Sequence, residues 1–264
     1  MTGPARGVAS MAPDDHALAR DLAEQAGRRL VRLRAEGGDQ DVLRKAGDRL
    51  SHEFLTAELA RWRPGDRVLS EEGADDPARL AADRVWIIDP LDGTREFGEP
   101  GRTDWAVHVA LWERSAGDLT AGAVALPAQG RVLGGAPDQG GAPDQAGASR
   151  RIRIVVSRSR APRLVRNISD LINAELVPLG SAGAKVAAVI GGEADAYVHG
   201  GGFYEWDTAA PVAVARAAGF HASRIDGSPL AYNQADLLMP DIVVCRPAVA
   251  GVLLQAIREV TNAS

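Results

Sequence analysis

Two aspartates stand three positions apart at the end of an apolar stretch that begins at Val85. Asp89 and Asp92 are separated by Pro90-Leu91, and Gly93-Thr94 follow them. Because the proline restricts the backbone, the two carboxylates can converge on one point, where they would repel each other without a cation between them. The spacing therefore favours a site for a hard divalent metal over the structural alternative, an Asp-Gly turn at a strand end.

Two more acidic motifs contain candidate ligands for the same ion. Glu71 lies in the segment 70–73, directly after a short apolar stretch, and Asp207 lies in the segment 205–211, at the start of a predicted helix of small residues. The structural alternative for Asp207 is an ordinary helix N-cap. Three such clusters favour a shared site, and ligation by oxygen alone suits Mg²⁺, since the five histidines show no ligand spacing.

These motifs resemble the signatures of a known family. The segment Asp89-Pro90-Leu91-Asp92-Gly93-Thr94 is similar to the first signature of the inositol monophosphatase superfamily, a group of Mg²⁺-dependent, lithium-sensitive phosphomonoesterases. Trp206-Asp207-Thr208-Ala209-Ala210 resembles the second signature, and Glu71-Glu72 stands at the expected distance upstream of the first. The resemblance extends over about residues 14–247. Within the superfamily, the segments 89–97, 157–159 and 226–230 look most like the CysQ branch, the 3'-phosphoadenosine 5'-phosphate phosphatases of sulfur assimilation.

The resemblance implies a role for each matching residue. Two or three Mg²⁺ ions would be bound by oxygens of Asp48, Glu71, Asp89, Leu91 (through its carbonyl), Asp92 and Asp207. Thr94, together with Asp48 and Glu71, would orient and activate the attacking water, while the N–H groups of Gly93 and Thr94 would hold the phosphate. The match at Asp48 is restricted to the aspartate itself, because residues 45–47 depart from the family's usual pattern. A solvated helix carboxylate is the alternative there.

Substrate contacts are implied in the same way. They fall on Asp92, Gly93, Thr94, Arg95, Ser157, Arg160, Gly180, Ser181, Lys185 and Asp207. Lys185 is one of only two lysines among 30 basic residues, and as a compact charge it could meet a second phosphate. A lysine that merely extends from a helix is the alternative. Arg160 stands where the branch typically has histidine, and an arginine could stack on adenine or fork to a phosphate.

The elements that position these residues follow from hydrophobic periodicity. Apolar residues at helical spacing predict a helix from Asp14 or Asp15 to Gly37-Gly38 and a second helix that stops at Pro64-Gly65. Short apolar runs between turn residues predict strands at 68–70, 85–88, 105–112, 121–126, 152–156, 176–179, 196–198 and 242–244, with helices at 162–171, 184–190 and 208–218. The low-complexity stretch 134–148 predicts an exposed loop.

The order of these elements indicates two parts. They are an N-terminal α+β metal-binding domain over residues 1–150 and a C-terminal α/β substrate-binding domain over residues 151–264. The resemblance adds the architecture, a layered sandwich of α+β and α/β character with αβαβα layers, like that of inositol monophosphatase and fructose-1,6-bisphosphatase, and it implies a homodimer. We expect the site where the two parts meet.

Composition restricts the class of partner. The 264 residues have a formal net charge of -5 and a mean hydropathy of -0.12, which excludes a global attraction to nucleic-acid polymers or to an anionic membrane. The sequence has no apolar run long enough to span a bilayer. The single cysteine, Cys245, and the lack of a signal-peptide pattern in the first residues predict a cytoplasmic protein.

The resemblance therefore implies a phosphomonoesterase that uses Mg²⁺ to convert 3'-phosphoadenosine 5'-phosphate to AMP and phosphate, with 3'-phosphoadenylyl sulfate as a further candidate substrate. Within the same chemistry, the alternative is a phosphatase for inositol-1-phosphate or fructose-1,6-bisphosphate. In another class, the alternative is a catalytically silent protein that binds metal or ligand to regulate a partner. The expected partner of the enzyme is a small phosphorylated molecule.

Overall fold

Layers of helices and sheets alternate through the part of the chain that the computed structural model describes, residues 13–134, 151–159 and 161–262. Its helices are α1 (Asp15–Glu36), α2 (Gln40–Trp62), α3 (Thr94–Gly98), α4 (Arg163–Ile172), α5 (Ala182–Ile190), α6 (Glu205–Ala217) and α7 (Pro247–Asn262). Its strands are β1 (Arg67–Ser70), β2 (Arg84–Asp92), β3 (Ala106–Glu113), β4 (Asp118–Leu126), β5 (Arg131–Gly134), β6 (Arg153–Ser157), β7 (Glu175–Leu179), β8 (Ala196–His199), β9 (Phe203–Tyr204), β10 (His221–Ser223), β11 (Leu238–Met239) and β12 (Ile242–Cys245).

The first sheet contains β1 to β5 in sequence order, with β1 and β2 parallel and the other neighbours antiparallel. Side chains alternate between its two faces along β2. Trp86 and Ile88 therefore pack in one core with α1 and α2, whereas Val85 and Ile87 pack in another core with α5 and α6. Because both faces are covered, the apolar runs of this sheet are nearly continuous.

The second sheet has the strand order β10-β12-β8-β6-β7, in which β6 pairs in parallel with both β7 and β8. α5 and α6 contact strands of both sheets, and a separate core joins the second sheet to α4 and α7. Small residues allow close packing in the middle layer: a Cβ atom at Gly122 in β4 would lie 2.5 Å from the Cβ of Ala213 in α6. The layers run αβαβα, which confirms the predicted fold class.

Several elements that carry site residues begin or end at positions other than those predicted, and two of these differences concern the acidic motifs. β2 continues through Asp92, so that both aspartates of the motif belong to the strand. Its pairing with β3 shifts register between Asp89 and Asp92, which accommodates Pro90 because proline has no N–H for the ladder. α6 begins at Glu205, three residues before the predicted start at Thr208.

Two helices have no counterpart among the predictions, and three predictions fall outside the described residues. The unpredicted helices are the short α3, which follows the turn after β2, and α7, which buries Leu253, Ala256 and Ile257 against the second sheet. The N-terminal residues 1–12, the predicted loop beyond Gly134 and Arg160 lie outside the described part of the chain. None of the described helices is both long and apolar enough to cross a membrane.

Candidate functional site

The end of β2 and the turn after it carry several of the predicted site residues. Oδ1 of Asp89 accepts a hydrogen bond of 3.0 Å from the N–H of Leu91, which tightens the backbone within the strand. Gly93 then adopts a left-handed conformation with φ of 84°, and α3 begins at Thr94. A Cβ atom at Gly93 would also lie only 3.0 Å from the Cβ of Ser181. The turn therefore requires glycine both for its backbone conformation and for its close approach to the second half of the chain.

Asp89, Asp92 and Asp207 form a group that we call the carboxylate cluster. One oxygen atom from each residue lies within 4.8 Å of the corresponding oxygen atoms of the other two. Asp207 reaches the cluster from the first turn of α6, where its Oδ2 accepts a hydrogen bond of 2.6 Å from the N–H of Tyr204. Asp207 is thus the third helical residue and not the N-cap. Three carboxylate oxygens at this separation fit a divalent cation that prefers oxygen ligands.

The pKa values in the cluster diverge because the three carboxyl groups have different neighbours. Burial raises the pKa of Asp89 well above its usual value, and the charges of Glu71 and Asp92 raise it further. Burial and the charge of Asp92 raise the pKa of Asp207 to about 6. Burial by itself would raise the pKa of Asp92, but His108, the N–H of Gly183 and the charge of Lys185 together outweigh burial, so the pKa of Asp92 is lowered. A bound cation would relieve the repulsion among these buried carboxylates.

Glu71 adds a fourth carboxyl group at the solvent side of the cluster. β1 and β2 are parallel, so Glu71, which follows β1, lies at the same sheet edge as the end of β2. Much of the residue is exposed, but its carboxyl group hydrogen-bonds that of Asp89. Partial burial of this group raises the pKa of Glu71 to about 7. The hydrogen bond with Asp89 lowers this pKa, whereas the charges of Asp207 and Asp92 raise it further.

Asp48 contacts Thr94 across the interface between α2 and the turn after β2. Oγ1 of Thr94 lies 3.2 Å from Oδ1 of Asp48 and 3.0 Å from the carbonyl oxygen of Leu91. Burial and then the charge of Glu72 raise the pKa of Asp48 to about 6, although the Thr94 hydroxyl partly opposes this shift. Asp48 is half-buried and hydrogen-bonded, which distinguishes it from a freely solvated helix carboxylate.

His108 contacts the cluster from the protein interior. It is fully buried in β3, its Nδ1 lies 3.2 Å from the carbonyl oxygen of Trp206, and its Nε2 lies 3.1 Å from Oδ2 of Asp92. Burial lowers the pKa of His108, but the charge and hydrogen bond of Asp92, the carbonyl of Trp206 and the charge of Asp207 together outweigh burial and raise the pKa. The sequence indicates a core histidine here, because His108 alternates with apolar residues. The contact with Asp92 depends on the pairing of β3 with β2, and alternation within one strand does not predict that pairing.

A cleft of about 250 Å³ opens beside the cluster. Eight of the ten predicted substrate contacts line it: Asp92, Gly93, Arg95, Ser157, Gly180, Ser181, Lys185 and Asp207. Thr94 does not line the cleft, and Arg160 lies outside the described residues. A larger cavity of about 400 Å³, beside Arg102 and Arg131, contains none of the predicted site residues.

Lys185 is buried in the wall of this cleft. Only 6% of the residue is exposed, and its Nζ donates a hydrogen bond of 3.2 Å to the carbonyl oxygen of Ser181. Within the described residues, no carboxylate lies at salt-bridge distance from this ammonium group. Burial lowers the pKa of Lys185, while the more distant charges of Asp92 and Glu96 oppose that shift. A buried ammonium group without a carboxylate partner is suited to an anionic group of a ligand.

Further residues that the sequence did not single out complete the cleft, among them Glu96, Arg158, Tyr197, His199 and Phe203. The ring centres of His199 and Phe203 are 4.7 Å apart, and burial with the charge of Lys185 lowers the pKa of His199 to about 4. Alternation of Tyr197 and His199 along β8 is the signal that could have placed both on one face. For Arg158 and Glu96 no local signal exists, because their contact joins two distant segments.

Comparisons with known proteins show which sequences and solved structures this chain resembles. The profile of the inositol monophosphatase family matches residues 15–262. A Mycobacterium leprae protein named 3'-phosphoadenosine 5'-phosphate phosphatase is 52% identical over 255 residues, which cover 93% of this chain and 94% of that protein. The Escherichia coli 3'(2'),5'-bisphosphate nucleotidase CysQ is 31% identical over 231 residues, which cover 80% of this chain and 91% of that protein. The crystal structure of CysQ from Bacteroides thetaiotaomicron matches with a TM-score of 0.72 at 30% identity, over 88% of this chain and 97% of that one.

Proposed function

This chain belongs to the inositol monophosphatase family, and on that premise we propose that it removes the 3'-phosphate from 3'-phosphoadenosine 5'-phosphate, releasing AMP and phosphate in sulfur assimilation. The names of the Mycobacterium leprae and Escherichia coli relatives support this substrate. The observation that carries the proposal is a single cleft that joins the carboxylate cluster to Lys185. A substrate with one phosphate to be cleaved and a second anionic group matches these two ends.

The oxygen donors fit a hard divalent cation, and the proposed ion is Mg²⁺. When bound, Mg²⁺ neutralises phosphate charge and makes water more acidic. The residues that would hold two or three such ions are Asp89, Asp92, Asp207, Glu71, Asp48 and, through its carbonyl oxygen, Leu91.

Thr94 and Asp48 would control the attacking water. The Thr94 hydroxyl has one proton, which it donates to Asp48 or to the Leu91 carbonyl, so its lone pairs can accept a hydrogen bond from water. Asp48, the hydrogen-bond partner of Thr94, would take up the proton that the water releases through Thr94. The N–H groups of Gly93 and Thr94 would hold the phosphate for in-line displacement.

The remaining predicted contacts would bind the rest of the nucleotide. Lys185 would contact the second phosphate, while Ser157, Gly180 and Ser181 would contact the nucleoside. Arg95, whose side chain is 61% exposed, would lie at the rim of the cleft. Arg160 is proposed as a contact of the base from its sequence position.

Phosphate release by the purified protein tests this proposal. The substrates are 3'-phosphoadenosine 5'-phosphate, inositol-1-phosphate and fructose-1,6-bisphosphate, each with Mg²⁺ and with EDTA. We expect kcat/KM for the nucleotide to exceed that for inositol-1-phosphate by about 10²-fold or more, because inositol-1-phosphate has no second phosphate for the buried Lys185. Fructose-1,6-bisphosphate has two phosphates but no nucleoside, so its lower kcat/KM would reflect the lost contacts with Ser157, Gly180 and Ser181. Comparable values on all three substrates would refute the nucleotide preference.

Two variants separate catalysis from stability. Asp92→Asn is expected to lower kcat by about 10²-fold or more while the protein remains folded, because it removes a charge that binds the metal. Asp170→Asn, at an exposed position of α4, is the matched control and should leave kcat unchanged. If none of the three substrates is hydrolysed in a metal-dependent reaction, the alternative of a catalytically silent regulator is supported instead.

We also propose, from the family resemblance, a homodimer that is inhibited by lithium and that divides into a metal-binding domain over residues 1–150 and a substrate-binding domain over residues 151–264. The single cysteine supports a cytoplasmic location. Sedimentation equilibrium tests the dimer, and titration of the phosphatase reaction with Li⁺ tests the inhibition.

A further inference from the structure

The turn that carries Asp92 and Thr94 leads into α3, a helix of only five residues. A helix this short gains little stability from its own hydrogen bonds, so its position depends on contacts with the rest of the protein. On one side, Arg34 of α1 donates hydrogen bonds to the carbonyl oxygen of Glu99 and, at 2.7 Å, to that of Arg102. These bonds tie the end of α3 to the first half of the chain.

On the other side, α3 is held by Arg158, which directly follows β6 of the second sheet. Nε and Nη2 of Arg158 donate to Oε1 of Glu96 at 3.2 and 2.9 Å, and Nη2 also donates to Oε1 of Glu99 at 2.8 Å. The Glu96 side chain is 10% exposed and the Arg158 side chain 27%, so the ion pair is largely shielded from water. Charge-assisted hydrogen bonds in such a setting are stronger than exposed ones and fix orientation as well as distance.

Arg158 is also attached to the loop that carries two predicted substrate contacts. Its N–H donates a hydrogen bond of 3.0 Å to the carbonyl oxygen of Leu179, immediately before Gly180-Ser181. A Cβ atom at Gly180 would lie 2.5 Å from Cγ of Glu96, so this loop and α3 pack against each other without space for a side chain. Arg158 therefore connects three segments that line one cleft: α3, the end of β6 and the loop after β7.

We propose that Arg158 is a positioning residue that sets the distance between the turn carrying Thr94 and the segments carrying Ser157, Gly180 and Ser181. The inference rests on the proposed function, because it assumes a substrate that contacts both sides at once. A substrate held on one side and cleaved on the other reacts only when the two sides are correctly spaced, and a displacement of about 1 Å can cost as much as 10²-fold in rate.

The test compares ligands that contact one side or both sides of the cleft. The protein is assayed with 3'-phosphoadenosine 5'-phosphate and with adenosine 3'-monophosphate, which lacks the second phosphate. Inorganic phosphate, which needs only the turn and the metal, is measured as a competitive inhibitor. For Arg158→Gln we expect kcat/KM to fall by about tenfold or more for both nucleotides, while the inhibition constant of phosphate changes by less than about threefold.

Two further variants control for folding and for charge. Arg158→Lys retains the cation and can donate to one carboxylate, so it should recover kcat/KM to within about fivefold of wild type. Arg153→Gln, at the start of β6, removes a guanidinium group that donates to the carbonyl oxygen of Gly192 at the surface, and it should leave all three measurements within about twofold. Thermal unfolding and Mg²⁺ titration verify that each variant is folded and binds metal.

Each other outcome contradicts the positioning role in a distinct way. A loss confined to the bisphosphate would make Arg158 a ligand of the second phosphate. A parallel loss of affinity for inorganic phosphate would mean that Arg158 only supports the turn, and unchanged kcat/KM for both nucleotides would mean that it has neither role. If the wild-type protein hydrolyses neither nucleotide with Mg²⁺, the proposed function itself is refuted, whatever the variants do.

Discussion

Replacing Gly183 by alanine is expected to disturb the carboxylate cluster from inside the protein. A Cβ atom at Gly183 would lie 2.3 Å from Nε2 of His108, 2.9 Å from the Cβ of Ala106 and 3.0 Å from Cγ1 of Val124. Ordinary contact requires a separation of about 3.5 Å, so His108 or α5 must move by about 1 Å. The N–H of Gly183 also donates a hydrogen bond of 2.7 Å to Oδ2 of Asp92, so the displacement is transmitted to Asp92.

The size of the effect follows from two separate costs. Overpacking a well-packed core destabilises a protein by about 1–3 kcal/mol. In a protein of this size each kcal/mol lowers Tm by about 2–4 °C, so the expected decrease is about 2–12 °C. Residues that orient a metal ligand typically contribute about 10–100-fold to metal affinity or activity. We therefore expect Gly183→Ala to weaken Mg²⁺ binding and to lower kcat/KM for the nucleotide by about 10–100-fold.

Calorimetry measures both costs on the same samples, through Tm and through Mg²⁺ titration, and steady-state kinetics completes the comparison. Gly251→Ala in α7 is the matched control, because a Cβ atom there would meet no atom within 4 Å. This helical substitution should stabilise the protein by about 0.5–1 kcal/mol and leave Mg²⁺ affinity and kcat/KM unchanged. A Gly183→Ala protein with wild-type Tm would refute the packing argument, and one with lowered Tm but wild-type Mg²⁺ affinity would refute the transmission to Asp92.

Three further predictions concern the hydroxyl, the lysine and the acidic groups of the site. Thr94→Val is expected to lower kcat by about 10²-fold with little change in KM, because water loses its hydrogen-bond partner, and Thr94→Ser should restore most of the rate; a larger effect on KM than on kcat would contradict this role. Lys185→Gln should raise KM by about tenfold for 3'-phosphoadenosine 5'-phosphate and by much less for inositol-1-phosphate, and equal changes would exclude a contact with the second phosphate. Burial raises the pKa of Glu71 to about 7 in the folded protein, from an ordinary value of 4.5, so the folded protein takes up a proton as pH falls through 7 while the unfolded chain does not. In EDTA, Tm should therefore rise as pH falls from about 8 to 6.5, and Glu71→Gln should reduce this rise. A Tm that falls over the same pH range, or the same dependence of Tm on pH in the variant as in the wild type, would contradict the raised pKa of Glu71.

Local sequence patterns predicted the chemistry of the candidate site and most of its supporting elements. Helical periodicity predicted α1 and its end at Gly37, where the structure has a positive φ of 71°. The spacing of Asp89 and Asp92 around Pro90 predicted two carboxylates that converge, and the structure brings both into the carboxylate cluster with Asp207. These features depend on residues that are close together in the chain, where residue type and spacing constrain the geometry directly.

Only the tertiary structure decided which distant residues face one another. His108 lies behind Asp92 because β3 pairs with β2 in one particular register, and Arg158 meets Glu96 because the second sheet is held close to α3. Lys185 is buried in the cleft because α5 packs between the two sheets. Periodicity and turn chemistry are short-range properties of a chain, whereas strand register and the stacking of layers depend on all the packed elements at once. For that reason the sequence determined the chemical groups of the site, and the fold determined their partners, burial and charge.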